Sequence, residues 1–221
     1  MLPALGILGG TFDPIHNGHL ELAREVRDAL ALAAVRLIPA GDPPHRAAPV
    51  ATAAHRLAMV ELGIEGVPGL EVDAREIDRP GRSYTFDTLE SLRADEPERA
   101  LALIVGADAF IGLPAWHRWR ELFSLSHVVV VARPGVAIDD ALPPALARDW
   151  SRRLTDDPHA LATEHAGHIY VQPITPHPIS ASSIRSALVD GNTSAVKGLL
   201  PPAVLAYIER NRLYRSRPDA T

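Results

Sequence analysis

Leu5-Gly6-Ile7-Leu8-Gly9-Gly10-Thr11-Phe12-Asp13-Pro14-Ile15-His16-Asn17-Gly18-His19 decides how this chain is read. The apolar run at 5–8 predicts a buried strand. Residues 20–30 (LELAREVRDAL) repeat their apolar side chains at helical spacing, so a helix is expected to begin near Asn17. Between strand and helix lies a turn softened by Gly9 and Gly10. That sequence of elements suits a bound phosphate: glycines let the backbone come close, and the first N–H groups and positive end of the helix face the anion. His16 and His19 share a face of such a helix and can add hydrogen bonds or positive charge where negative charge gathers. A Gly-Gly turn alone is usually just a tight connection, and a single histidine near a helix start is usually solvated or capping. The combination carries the argument.

Working outward, strand, helix and a second predicted strand at 35–39 make a βαβ unit with a parallel sheet. A rigid loop follows, Ala40-Gly41-Asp42-Pro43-Pro44-His45-Arg46, which would hold His45 and Arg46 at the mouth of a site. Residues 51–64 read as a helix with Arg56 on its solvated face, and 70–73 as a short strand. The charged stretch 75–82 reads as an exposed loop. Ser83-Tyr84-Thr85 opens another helix, with Ser83 or Thr85 as its N-cap. That start could equally present N–H groups to a carboxylate.

Residues 101–105 (LALIV) and 127–132 (HVVVVA) are near-continuous apolar runs, as expected of central parallel strands covered on both faces. The first ends in Gly106-Ala107-Asp108, and the second in Arg133-Pro134-Gly135. Ligands of open parallel sheets sit beyond the carboxyl ends of strands, which makes both ends candidate ligand positions. In Leu113-Pro114-Ala115-Trp116-His117-Arg118-Trp119, Trp119 is expected to pack and Trp116 to stack on a substrate ring. Residues 138–167 read as a peripheral helical hairpin or loop insertion, with His159, His165 and His168 on the surface. A strand at 169–172 is followed by Ile179-Ser180-Ala181-Ser182-Ser183-Ile184-Arg185, a serine-rich helix start. Its hydroxyls, N–H groups and guanidinium form a second candidate anion site. A helix over 201–214 closes the fold. The expected architecture is α/β: a Rossmann-like, doubly wound parallel sheet with C-terminal helices, in one domain over 1–221.

Composition limits the function classes. The chain has 221 residues, 47% of them apolar and 22% charged, as in ordinary globular proteins. A net charge of −5 argues against nucleic-acid coats and binders of anionic membranes, yet permits a local basic pocket. With no cysteine there is no disulfide, thiolate catalysis or zinc–thiolate site, which fits a cytoplasmic protein. No signal peptide is expected from the N-terminal residues, and 128–132 is far too short to span a bilayer.

The string at 9–19 resembles the signature of the nucleotidyltransferase superfamily with an HxGH motif. Together with the ISxSxIR pattern at 179–185 and the middle segments, the chain resembles the bacterial nicotinate-nucleotide adenylyltransferase family over nearly its whole length. The family commonly has threonine where this chain has Ser182, and lysine also occurs at the position of Arg46; both changes keep the relevant chemistry. The resemblance implies transfer of AMP from ATP to nicotinate mononucleotide by direct in-line attack, with Mg2+ carried by the ATP. It further implies that His16, His19 and Arg185 are catalytic, with His16 nearest the α-phosphate. Gly9, Gly10, Thr11, His16, His19, Ile104, Gly106, Asp108, Ser180, Ser182 and Arg185 would bind ATP. Arg46, Ser83, Tyr84, Thr85, Trp116 and Arg133 would bind nicotinate mononucleotide, with Arg46 also reaching phosphate. No protein metal ligand, nucleic acid or membrane is implied, and self-association is left open. The rival readings are another enzyme of the superfamily, such as the pantetheine-phosphate adenylyltransferase, and a non-catalytic nucleotide-binding module.

Overall fold

The computed structural model of the protein describes residues 2–43, 48–133, 135 and 138–215. The described chain runs β1 (Leu5–Gly10), α1 (Asn17–Ala29), β2 (Ala34–Pro39), α2 (Ala53–Ile64), β3 (Leu70–Val72), α3 (Arg75–Asp78) and α4 (Thr85–Asp95). It continues through β4 (Leu101–Gly106), α5 (Ala107–Ile111), α6 (Leu122–Leu125), β5 (His127–Ala132), α7 (Pro144–Arg153) and β6 (Leu154–Thr155). It ends with α8 (Ala160–Thr163), β7 (Ile169–Pro173), α9 (Ala181–Val189) and α10 (Pro202–Arg210). The seven strands form one parallel sheet in the order β3-β2-β1-β4-β5-β7-β6. None of the described helices is long and apolar enough to cross a membrane.

The apolar runs show why both faces are covered. In β4, Ala102 and Ile104 enter one core and Leu101, Leu103 and Val105 the other; in β5, Val129 and Val131 face opposite to Val128 and Val130. This is the two-residue alternation of a strand with apolar cover on each side. On the first face lie Leu20, Ala23 and Val26 of α1, Met59 and Val60 of α2, Ile184 of α9 and Val204 and Ile208 of α10. On the second lie Phe86, Leu89 and Leu92 of α4, Leu122 and Phe123 of α6 and Leu146 of α7. Each fully buried Leu, Ile or Val in these layers contributes about 1.5–3 kcal/mol.

The structure corrects several local expectations. β1 runs on to Gly10, so the glycine pair ends the strand rather than following it. Residues 75–82 are not all exposed loop: Arg75–Asp78 is the helical turn α3, and Glu76 is buried. Neither Ser83 nor Thr85 caps α4; its N-cap is Tyr84, which makes no side-chain capping bond. The Ser83 hydroxyl is drawn away by a longer-range partner, accepting the Gly41 and Asp42 N–H groups at 3.0 and 3.2 Å. Arg56 is not on a solvated face but buried. In the 138–167 stretch, β6 extends the sheet beside β7, while Ile138, Leu146 and Leu161 enter the cores. His168 stacks on the buried His127 with ring centroids 5.4 Å apart, rather than lying free on the surface.

Gly41 packs directly on α3. A Cβ there would overlap the Glu76 carbonyl oxygen, which is backbone and cannot swing aside. Gly41→Ala should therefore destabilise the protein by about 1–3 kcal/mol in urea unfolding, the usual scale of overpacking. Unchanged stability would mean that the β2 exit and α3 are not in contact.

Candidate active site

β1 and β4 are neighbours, yet the chain leaves β1 toward β2 on one side and β4 toward β5 on the other. The strand order reverses there, so the following loops part and leave a crevice at the carboxyl ends, where open α/β sheets bind ligands. A cavity of about 350 Å³ occupies it. Gly9, Gly10 and Thr11 from the end of β1, Ile104 and Val105 from β4, and Asp108 from α5 line it. So do Ser83, Tyr84, Thr85 and Trp116. Much of the candidate site is thus gathered around one space. Gly106, the exposed last residue of β4 and N-cap of α5, and Arg133, exposed past β5, are not in the cavity wall, nor are His16, His19, Ser180, Ser182 and Arg185. Pro44, His45 and Arg46 lie outside the described residues, as does Pro134.

Gly10 is required by packing. A Cβ there would meet the Phe12 ring at 2.8 Å. Phe12 adopts φ 48°, which turns its buried ring back under the strand end and sets it edge-on to His19 at 5.1 Å. The Gly10 carbonyl accepts from the Ala40 N–H at 2.9 Å, and the Thr11 carbonyl accepts from Arg56 Nη1 at 2.8 Å. Arg56 also donates through Nη2 to the Gly41 carbonyl at 3.1 Å, and so ties the exits of β1 and β2 together.

His16 is the N-cap of α1 and His19 its third residue. Their rings stack, with centroids 3.7 Å apart and planes at 20°. The His16 N–H donates to His19 Nδ1 at 3.3 Å, so a neutral His19 carries its proton on Nε2. Burial pushes the His16 pKa down to about 4, leaving its ring neutral at neutral pH. Among the described residues His16 Nδ1 is buried without a hydrogen bond of normal geometry. In the resting protein His16 therefore offers a hydrogen bond and not the positive charge that its residue type allows. The Asn17 N–H is committed to the Leu199 carbonyl at 2.8 Å and is not one of the free donors expected at the helix start.

At the start of α9, Ser180 is the N-cap and its hydroxyl accepts from the Ser183 N–H at 3.1 Å. Ser182 is exposed, 3.4 Å from Arg185 Nη2. Arg185 does not extend into solvent: its Nη1 donates to the Asp13 carbonyl at 2.8 Å. Ile179 in turn packs toward Gly18. The two helix starts, one from each end of the chain, therefore meet across the 11–16 loop.

Asp13 organises that loop. Its buried carboxylate accepts from the Val50 N–H at 2.7 Å, the Ala51 N–H at 3.1 Å and the Tyr214 hydroxyl at 2.6 Å. Burial and the adjoining Asp13 carboxylate push the Tyr214 pKa far up, so Tyr214 remains a donor at every ordinary pH. Asp13, Arg56, Glu76, Thr88, His117 and Tyr214 were not picked out by reading the chain. His117, in the cavity wall, lies against Tyr84 with centroids 4.6 Å apart. Asp13, His117 and Tyr214 stand in stretches that resemble the family, but the partners of Asp13 and Tyr214, like those of Arg56, are remote in sequence.

Comparison with known proteins identifies the family of the chain. The cytidylyltransferase-like family model matches residues 7–187. A protein of Laribacter hongkongensis named probable nicotinate-nucleotide adenylyltransferase is 49% identical over 98% of this chain and 97% of its own. One of the same name from Halorhodospira halophila is 50% identical over 92% and 91%. Among solved structures, Plasmodium falciparum nicotinic acid mononucleotide adenylyltransferase complexed with NaAD has the same fold. Its TM-score is 0.71 at 17% identity, covering 96% of this chain and 97% of that one. With a family model spanning most of its length and relatives nearly half identical from end to end, the chain belongs to the cytidylyltransferase-like family and, within it, to the nicotinate-nucleotide adenylyltransferases.

Proposed function

We propose that the protein transfers AMP from ATP to nicotinate mononucleotide, forming nicotinic acid adenine dinucleotide and pyrophosphate. The observation that carries this reading is the meeting of the α1 and α9 starts at Asp13, together with a cavity at the strand-order reversal. A phosphate oxygen of the mononucleotide attacks the α-phosphorus of ATP, and the bond to the departing pyrophosphate breaks opposite to it. No side chain has to form a bond; catalysis is positioning and charge stabilisation. His16 and His19 face the triphosphate through hydrogen bonds, with Arg185 and Ser182 completing the cradle from α9. Ile104, Gly106 and Asp108 serve the adenosine. Tyr84 and Thr85, at the uncapped start of α4, receive the ring carboxylate, and Trp116 stacks on the ring. Arg46 and Arg133 are assigned to the mononucleotide's phosphate.

Magnesium enters as part of the substrate. Among the described residues no group of three or more His, Asp or Glu could hold a metal ion. The oxygen ligands that magnesium prefers are those of the phosphates and of water, so the ion fits the triphosphate better than the chain.

Pyrophosphate release from ATP should depend on nicotinate mononucleotide and should not be supported by pantetheine phosphate. His16→Ala and Arg185→Ala should each lower turnover by at least about 10²-fold, the scale of losing one electrostatic stabiliser. No release by the wild-type protein, or near-wild-type turnover in both variants, would refute the reading.

His16 also predicts a pH effect on stability. Its folded pKa, about 4, lies below the 6.5 of an ordinary histidine, so the unfolded chain binds more protons between those values. Its contribution is complete above pH 6.5 and is lost as pH falls from 6.5 toward 4. His16→Asn, which cannot titrate, should flatten the fall in unfolding free energy measured between pH 7 and pH 5. An identical fall in both proteins would contradict the burial of this imidazole.

A further inference from the structure

The cavity wall carries charge of an unexpected sign for a site that handles phosphates. Among its described lining residues are two carboxyl groups, Glu76 and Asp108, and no lysine or arginine. Asp108 is exposed. Glu76, on α3, is only 8% exposed and is held from several sides. The Thr88 hydroxyl of α4 donates to its Oε1 at 2.7 Å, and Ser83 lies close enough to act on the carboxyl. Ser83 is fixed in turn by the Gly41 and Asp42 N–H groups, and Arg79 reaches the carboxyl only through Thr88, at 3.1 Å to Oγ1.

A buried carboxylate without a contacting cation is costly. Burial accordingly pushes the Glu76 pKa up, against the pull of Thr88 and Ser83, while Asp73 pushes it up further and Arg79 pulls it down. Arg79 and Arg56 act on this carboxyl electrostatically, but no hydrogen bond or ion pair among the described residues joins either of them to it, and a glutamine oxygen would serve the Thr88 hydroxyl as well. The charge fits a ligand of opposite sign. Of the groups in the proposed reaction, adenine and ribose are neutral, and the phosphates and ring carboxylate are negative. The cations are the magnesium ion, which the oxygens of the triphosphate and of water satisfy, and the N-glycosylated pyridine ring. The cavity offers both signs to that zwitterion: the first turn of α4, without a side-chain cap, suits the carboxylate, and Glu76 suits the ring.

We propose that Glu76 is a specificity-determining residue whose carboxylate is the counter-charge of the pyridinium ring, so that the cavity selects the cationic oxidised ring over the uncharged dihydropyridine. This rests on nicotinate mononucleotide being the substrate.

The test is kcat/KM at saturating ATP for nicotinate mononucleotide and for its 1,4-dihydro form, in the wild type, E76Q and E76D. The wild type should prefer the oxidised ring. E76Q should lower that preference about tenfold, the size of one partly screened charge–charge attraction, with the KM for ATP unchanged. E76D keeps the charge and should stay within about threefold of the wild-type preference. Because each preference is a ratio within one preparation, partial misfolding cancels; for a variant too slow to assay, the ratio of dissociation constants is read instead. Equal losses for both rings in E76Q, or a collapsed preference in E76D, would overturn the inference while leaving the adenylyl-transfer reading intact. A wild-type protein that releases no pyrophosphate with nicotinate mononucleotide would sink that reading, and this inference with it.

Discussion

Asp13 accepts hydrogen bonds from two backbone N–H groups ahead of α2 and from a tyrosine near the end of the described chain, while its own carbonyl receives the guanidinium of Arg185. Three segments far apart in sequence are thereby fixed to the loop that leads into His16. The carboxylate is buried, so each donor removed would leave a polar group with no water to replace the bond, a penalty of about 1–3 kcal/mol. Arg56 lies close enough to interact electrostatically with Asp13 while it bridges the exits of β1 and β2. The loop owes its shape to these partners more than to its own sequence.

The consequence is a division of labour across a short distance. In the proposed reading the phosphates meet the stacked rings of His16 and His19, of which His16 is held neutral by burial, together with a guanidinium and two helix starts. In the same reading the rings and sugars occupy the cavity whose wall includes Ile7, Ile38, Leu89, Leu103, Ile104 and Val105. The reversal of strand order between β1 and β4 makes this possible, because the same strands that pack the two cores also end in the crevice. A reaction that joins two nucleotides through their phosphates needs such a layout: room for two planar groups and one shared place for charge.

The elements most legible in the sequence were those whose signal is local. The run His127-Val128-Val129-Val130-Val131 could be a buried strand on composition alone, and the step from β1 through glycines into α1 showed its turn, its helix and its histidines within twenty residues. The family likewise followed from short motifs near both ends. What escaped was decided at long range. Arg56 sits on α2 like any solvated arginine until Thr11 and Gly41 supply carbonyls that no local pattern reveals. Glu76 falls in a charged stretch whose spacing gives no sign that Thr88 and Ser83 bury it. Ser83 has the residue type of an N-cap, but the β2 exit loop claims its hydroxyl first. His16 shows why residue type does not settle charge: burial, invisible in the sequence, keeps it neutral.

The convergence of the two helix starts is tested most directly by a crystal structure of the protein with a non-hydrolysable ATP analogue and nicotinate mononucleotide. His16, His19 and Arg185 should all lie within hydrogen-bond reach of one triphosphate, with Asp13 still holding Tyr214 and Arg185. A triphosphate held by the histidines with Arg185 turned away to another surface would contradict the shared cradle.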